Sequence, residues 1–310
     1  MSKRDFITLA NLKEKDFQEI FRLSREIKKR RKRGEKIIPL LRGKFMGMIF
    51  EKPSTRTRVS FQVAIEELGG TAIYLSGKEM QLGRGETIAD TARVLSRYLD
   101  LILIRTFGQE RVEEMAEYAT VPVINGLTDL LHPCQIISDL FTILEKRGTY
   151  QNLKIAYLGD GNNVCHSWII ASTILGLDLH IATPPSYSPH VEELKRRGLL
   201  GEKENFHLYE EPEKAIENAH IIYTDVWVSM GQKDEEERKK VFPPYQVNSQ
   251  ILSLASPDCL VMHCLPAHRG EEITEEVIDG GKSIVWDQAE NRLHVQKGII
   301  LWVMGMEEAV

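Results

Sequence analysis

The sequence predicts an α/β fold made of two doubly wound parallel-sheet domains. Three observations carry this. Short apolar runs alternate with amphipathic stretches along most of the chain. Polar, glycine-marked turns follow the carboxyl ends of those runs, as in successive βαβ units. The 310 residues exceed one ordinary core, and the strand–helix pattern restarts past a polar segment, Glu145-Lys146-Arg147-Gly148-Thr149. The domains expected are 1–148 and 149–287, with a terminal helix, about 288–310, completing the first.

Composition narrows the class. Hydrophobic residues make up 42% and charged residues 27%, as in a soluble globular protein. A formal net charge of −5 argues against a general nucleic-acid binder. No apolar run approaches the ~20 residues of a membrane span, and MSKRDFITLANL lacks the apolar core of a signal peptide. The cysteines Cys134, Cys165, Cys259 and Cys264 are scattered, with no CxxC spacing, which reads as reduced thiols in a cytoplasmic protein.

Taken in order, Asp16–Arg33 reads as a helix with Phe17, Ile20, Phe21, Leu23 and Ile27 inward. Its basic end, Lys28 to Arg33, complements the helix dipole and reads as a solvated terminus rather than a nucleic-acid patch. Phe45–Phe50 is a buried strand. Glu51-Lys52-Pro53 breaks it, Ser54-Thr55-Arg56-Thr57-Arg58 forms a polar turn, and an amphipathic helix follows with Val59, Val63, Ile65 and Leu68 inward. That turn places hydroxyls and guanidiniums at a helix N-terminus, where free N–H groups and the dipole favour an anion. It reads as a phosphate cradle, or else as a serine N-cap before a solvated arginine pair.

Thr71–Leu75 is a strand, GKEMQLGRGE (77–86) a long loop, and Thr87–Tyr98 a helix. Asp100–Ile104 is a strand ending at Arg105. Ligands of open parallel sheets sit beyond carboxyl strand ends, which puts Arg105 beside the Ser54–Arg58 turn. After a helix, Gln109–Tyr118, and a strand, Val121–Ile124, comes His132, again past a strand and before a helix, Gln135–Lys146.

In the second half, strands are read at Leu153–Leu158, Leu179–Ala182, Phe206–Tyr209, Ile221–Tyr223, Cys259–Met262 and Ser283–Trp286. Helices are read at Val164–Leu175, Val191–Arg197, Pro212–Asn218 and Gln288–Met304. The charged run Asp234–Lys240 reads alone as a solvated surface. Its place after DVWVSMG (225–231) suggests a lid closing over a ligand.

The chain also carries fragments of other chemistries. Gly159-Asp160-Gly161 after a strand hints at a dinucleotide site, but Val164 replaces the third glycine and no acid follows the next strand. Asn162 and Asn163 suit a small polar ligand instead. His132, His166, His263 and His268 lack metal-ligand spacing. Cys264 is a covalent nucleophile or simply a buried thiol.

Together these motifs resemble the aspartate/ornithine carbamoyltransferase family, in order and over essentially the whole chain. Ser54-Thr55-Arg56-Thr57-Arg58, Arg105 and His132-Pro133-Cys134-Gln135 match its carbamoyl-phosphate blocks. Asp225 with Ser229-Met230-Gly231, and His263-Cys264-Leu265-Pro266, match the ornithine branch. The resemblance implies two α/β domains with the site in the cleft between them, no metal or organic cofactor, and homotrimers. It implies carbamoyl transfer from carbamoyl phosphate to the δ-amine of L-ornithine, giving citrulline, with arginine biosynthesis as the context. It assigns Ser54, Thr55, Arg56, Thr57, Gln81, Arg105, His132, Gln135, Leu265 and Arg292 to carbamoyl phosphate. It assigns Asn163, Asp225, Ser229, Met230 and Cys264 to ornithine, with Arg105, His132 and Cys264 nearest the chemistry. Gln81 is carried as a residue completing a neighbouring subunit's site. Rival readings are a carbamoyltransferase for putrescine or N-acetylornithine, a nicotinamide-dependent dehydrogenase, and a non-catalytic binding protein.

Overall fold

A computed structural model describes residues 3–80, 85–228 and 234–309. The chain divides into two compact units, Met1–Phe141 with Asn291–Val310, and Thr142–Glu290. Among the described residues, each unit holds one wholly parallel sheet flanked by helices.

In the first unit the strands are β1 (Phe45–Phe50), β2 (Thr71–Ser76), β3 (Leu101–Arg105) and β4 (Val123–Leu127), in spatial order β2-β1-β3-β4. Its helices are α1 (Glu14–Lys32), α2 (Thr55–Glu67), α3 (Ile88–Leu95), α4 (Gln109–Tyr118) and most of α5 (Pro133–Arg147). β1, β3 and β4 are almost continuously apolar and buried, the pattern of strands covered on both faces. Strand order reverses between β1 and β3, paired from Met46↔Leu101 to Phe50↔Arg105. That reversal opens a crevice at their carboxyl ends, where the Ser54–Arg58 turn and Arg105 lie.

The second unit orders its strands β7-β6-β5-β8-β9. These are β5 (Lys154–Leu158), β6 (Asp178–Ala182), β7 (Phe206–Tyr209), β8 (Ile221–Thr224) and β9 (Leu260–His263). Its helices are α6 (Asn163–Leu175), α7 (Val191–Arg196), α8 (Pro212–Ile216), α9 (Glu235–Val241), α10 (Ser249–Leu252) and α11 (Glu275–Ile278). The final helix, α12 (Val285–Val303), begins in this unit, and its residues from Asn291 onward belong to the first. The reversal here falls between β5 and β8, so the β5–α6 turn and Asp225 become neighbours. Tyr157 and Tyr223 stack at that seam with Trp168 edge-on to Tyr223, and all three are fully buried. Burying each such ring contributes about 2–3 kcal/mol of transfer free energy.

Several sequence expectations are corrected. Ser283 makes only an isolated bridge to Val261, and the predicted strand there is the approach to α12. In α2 the buried face is Phe61, Ala64 and Ile65, whereas Val59 is 53% exposed. A β-branched residue one turn from the cap met the helical period but faces outward. Lys28 is buried and donates to Asn291 Oδ1 at 2.7 Å, so it is not part of a solvated terminus. Residues 235–241 form a helix rather than a featureless charged run.

Candidate active site

In the first unit, Ser54 caps α2 by accepting from the Thr57 N–H at 3.2 Å. This cap satisfies one of the helix's orphan donors and fixes the turn. Thr55 and Arg56 are exposed beside it, and Thr57 is 2% exposed. Arg58 turns away and lays its guanidinium 3.6 Å from the Tyr74 ring centre.

Arg105 ends β3 and is buried. It sits at a register irregularity between Ile104 and Arg105 against β4, which ends regular pairing where the side chain is needed. His132 immediately precedes α5 and is buried. Burial, and then the positive charges of Arg292, Arg105 and Arg56, hold its pKa well below the usual imidazole value. His132 is therefore neutral at physiological pH, able to donate one hydrogen bond without carrying charge.

Arg292, which the resemblance assigned to carbamoyl phosphate, lies with the other residues of that set. It is buried, its Nη2 donates to Thr57 Oγ1 at 3.2 Å, and its Nη1 donates to the Gln135 side-chain carbonyl. Gln135 in turn donates to Asp139 at 2.8 Å, which fixes its amide orientation. Three guanidiniums thus act on one buried imidazole, at the carboxyl ends of β1 and β3. Guanidiniums, which can pair bidentately with an oxyanion, gathered beside a helix N-terminus suit a small, highly charged anion. Cys134 accompanies it only structurally: its thiol donates to the Asn125 carbonyl, and burial pushes its pKa up to about 12.

In the second unit, Asn162 caps α6 and also donates to Asp225 Oδ2 at 2.8 Å. The Cys264 thiol donates to the other carboxylate oxygen, Oδ1, at 2.9 Å. Both oxygens of a buried carboxylate are thereby oriented. The Tyr157 hydroxyl supports the turn from below by donating to the Asp160 carbonyl at 2.8 Å. Asn163 opens α6 beside this group.

Leu265 adopts φ 58°, in the left-handed region that costs a branched residue roughly 1–3 kcal/mol. The turn is held by neighbours: Leu265 N–H donates to His263 Nδ1 at 2.8 Å, and His263 Nε2 pairs with Glu272 at 2.9 Å. Both residues of that pair are fully buried. Since Nδ1 accepts, Nε2 carries the proton toward Glu272. Gln81, Ser229 and Met230 lie outside the described residues.

Sequence reasoning missed three supports. Asn162 was grouped with Asn163, without its role as clamp on Asp225. Glu272 carried no motif signal. Arg238 lay within the run read as solvated, yet it is buried, 2.9 Å from Asp160 and 2.7 Å from the Trp227 carbonyl, and it lies over the Tyr187 ring. The acid at i−4, Asp234, was a readable hint of a helix there.

The dinucleotide reading finds a different explanation. A Cβ on Gly161 would lie 2.3 Å from Pro189 N and 2.5 Å from Tyr187 O. That glycine is required by its own chain packing closely on the turn. His166 likewise is occupied structurally, accepting from the His190 N–H at 3.0 Å.

Fold and site define a class: a two-unit α/β protein with cations and hydroxyls gathered at one sheet's switch point and an oriented carboxylate–thiol pair at the other's. The chain belongs to the aspartate/ornithine carbamoyltransferase family. The family's carbamoyl-P binding domain matches residues 4–145, and its Asp/Orn binding domain matches residues 151–303. The ornithine carbamoyltransferase of Syntrophus aciditrophicus is 54% identical over 299 residues, covering 96% of this chain and 98% of that protein. The relative from Pyrococcus furiosus named as an anabolic ornithine carbamoyltransferase is 56% identical, covering 86% and 85%. The solved ornithine carbamoyltransferase structure from P. furiosus superposes with a TM-score of 0.91 at 51% identity, covering 98% of both chains. That from Burkholderia thailandensis gives 0.89 at 40% identity, covering 98% and 99%.

Proposed function

We propose that this chain transfers the carbamoyl group of carbamoyl phosphate to the δ-amine of L-ornithine, releasing L-citrulline and phosphate. The observation that carries the reading is the match of both family domains in order, on a chain whose switch points hold a cationic cluster and an oriented carboxylate. The sheet topology, the site chemistry and the names of the relatives all support it.

Ser54, Thr55, Arg56 and Thr57 receive the phosphate at the α2 N-terminus, with Arg105 as a second clamp. The amine attacks the carbonyl carbon and a tetrahedral oxyanion develops, stabilised by Thr57, Arg105 and neutral His132. Gln135 presents its carbonyl to the carbamoyl NH₂. Its Oε1 already accepts from Arg292, and the oxygen's second lone pair serves the substrate. The Leu265 backbone supplies a further acceptor. The C–O bond to phosphate then breaks and phosphate leaves.

Asp225 pairs with the ornithine α-ammonium, and Asn163, Ser229 and Met230 receive its α-carboxylate. Cys264 and Asp225 orient the uncharged δ-amine. Only about one alkylamine in a few thousand is uncharged at neutral pH, given a pKa of roughly 10.4. Turnover is therefore expected to rise through mildly alkaline pH.

The proposed working form is a cytoplasmic homotrimer serving arginine biosynthesis, with Gln81 reaching a neighbour. Edge strand β2 supports self-association, since it leaves Ile73 and Tyr74 exposed at the end of the sheet. Among the described residues no helix is long and apolar enough to cross a membrane. Light scattering at three chain masses would support the trimer, and a monomer would overturn it.

The test is citrulline formation from carbamoyl phosphate with ornithine, putrescine, N-acetylornithine and aspartate in parallel. Turnover favouring ornithine by orders of magnitude is expected. A preference for another amine would retain the phosphate half and overturn the roles of Asp225 and the 229–231 block.

A further inference from the structure

Asp178, His180 and His207 gather on one face of the β6–β7 edge of the second sheet. Strand alternation places Asp178 and His180 on the same side of β6, and the parallel register sets His180 directly beside His207. One ligand atom from each lies within 4.8 Å of the others. His180 Nε2 is 2.9 Å and His207 Nε2 3.9 Å from the same Asp178 Oδ1. In a tetrahedral zinc site with bonds of about 2.0–2.1 Å, neighbouring ligand atoms sit about 3.3 Å apart. The observed spacings bracket that value.

We propose that this cluster is a divalent transition-metal site of the zinc class. The donor set of two imidazoles and one carboxylate is the borderline mixture that Zn²⁺ and its neighbours accept, with water completing the shell. The outer partner is already in place. His180 Nδ1 lies 3.1 Å from the Tyr209 hydroxyl, and the two rings stack at 4°. On binding the ion, the imidazole proton that Nε2 now gives to Asp178 moves to Nδ1 and is donated to the Tyr209 oxygen, so Nε2 presents its lone pair to the metal. Lys154, in register with Asp178, sends its ammonium to the Glu217 carbonyl at 2.7 Å.

The cluster stands apart from the catalytic chemistry. Asp178 is the first residue of β6, at the amino end of the sheet, whereas the β5–α6 turn and Asp225 follow carboxyl ends. β7 is a four-residue edge strand joined to the sheet through β6 alone. A bound ion would fasten it there, so the site is a brace and not a reaction centre. The sequence concealed it because the ligands come from two strands 27 residues apart, without helical spacing.

The test uses protein stripped with EDTA and titrated with Zn²⁺ by calorimetry and with Co²⁺ by visible absorption. The variants are His207→Ala, Asp178→Asn and Cys264→Ser. The last is included because Asp225, His263 and Cys264 form a second close ligand group. One equivalent of Zn²⁺ should bind to wild type and to Cys264→Ser, raising the melting temperature of both. His207→Ala and Asp178→Asn should each weaken that equivalent by about tenfold or more. Both side chains are about half exposed, so circular dichroism should remain native. Citrulline formation should be unchanged in His207→Ala. Equal Zn²⁺ affinity in His207→Ala and wild type, or loss of all binding in Cys264→Ser, overturns the proposal.

Discussion

Arg292 Nη2 lies 3.2 Å from Thr57 Oγ1, joining residues 235 positions apart in sequence. The last helix thereby supplies a buried cation to the capped first turn of α2, and the same guanidinium grips Gln135 at the start of α5. One side chain thus links three elements, α2, α5 and α12.

Arg292→Lys should retain the fold and lose the forked geometry, because an ammonium cannot bridge two acceptors as a planar guanidinium does. The expected loss in kcat/KM for carbamoyl transfer is about 10²-fold or more, by analogy with removal of one transition-state donor. Steady-state citrulline assays decide it, and an effect under threefold would remove Arg292 from the substrate group.

Asp225→Asn should raise the ornithine KM far more than that of carbamoyl phosphate. A charge-assisted contact is worth about 1.5–3 kcal/mol, or roughly 10- to 150-fold. Cys264→Ser should lower kcat, since the thiol orients the carboxylate. Full turnover at saturating ornithine would exclude Cys264 from that role.

His132 has a folded-state pKa well below its unfolded value, so the unfolded chain binds more protons in acid. The neutral imidazole contributes stability fully at pH above about 6.5, and this is lost as pH falls through and below that value. Urea titrations at several pH values should show wild-type stability falling from pH 7 to 5. His132→Asn should flatten that slope, and an unchanged slope would assign acid sensitivity elsewhere.

The Asp160–Arg238 pair is buried on both sides. Arg238→Ala or Asp160→Ala alone should destabilise the chain by about 3–5 kcal/mol, whereas an apolar double replacement should cost much less. A denaturation double-mutant cycle measures the coupling. If α9 nonetheless serves as part of a closing lid, hydrogen exchange in 234–241 should slow with both substrates bound. No change would exclude closure.

Much of this was legible along the chain. Apolar runs such as Phe45–Phe50 and Leu101–Ile104 fixed the strands, because only a doubly covered sheet buries such runs. Ser54 before α2 announced a helix start through its capping chemistry. The ordered motifs carried the family. Secondary structure and motif content are local, so they could be read from local pattern.

The tertiary structure decided what depends on which elements meet. Parallel register brought Asn162 to Asp225 and His180 to His207, and no spacing rule could pair them. Arg238 looked like a surface charge on a polar run, yet the fold of its unit buried it against Asp160. Gly161, which resembled a nucleotide signature, is a point of close backbone packing. A sequence records what each residue can do; burial and partners, set by chain segments far away, select which of those things it does.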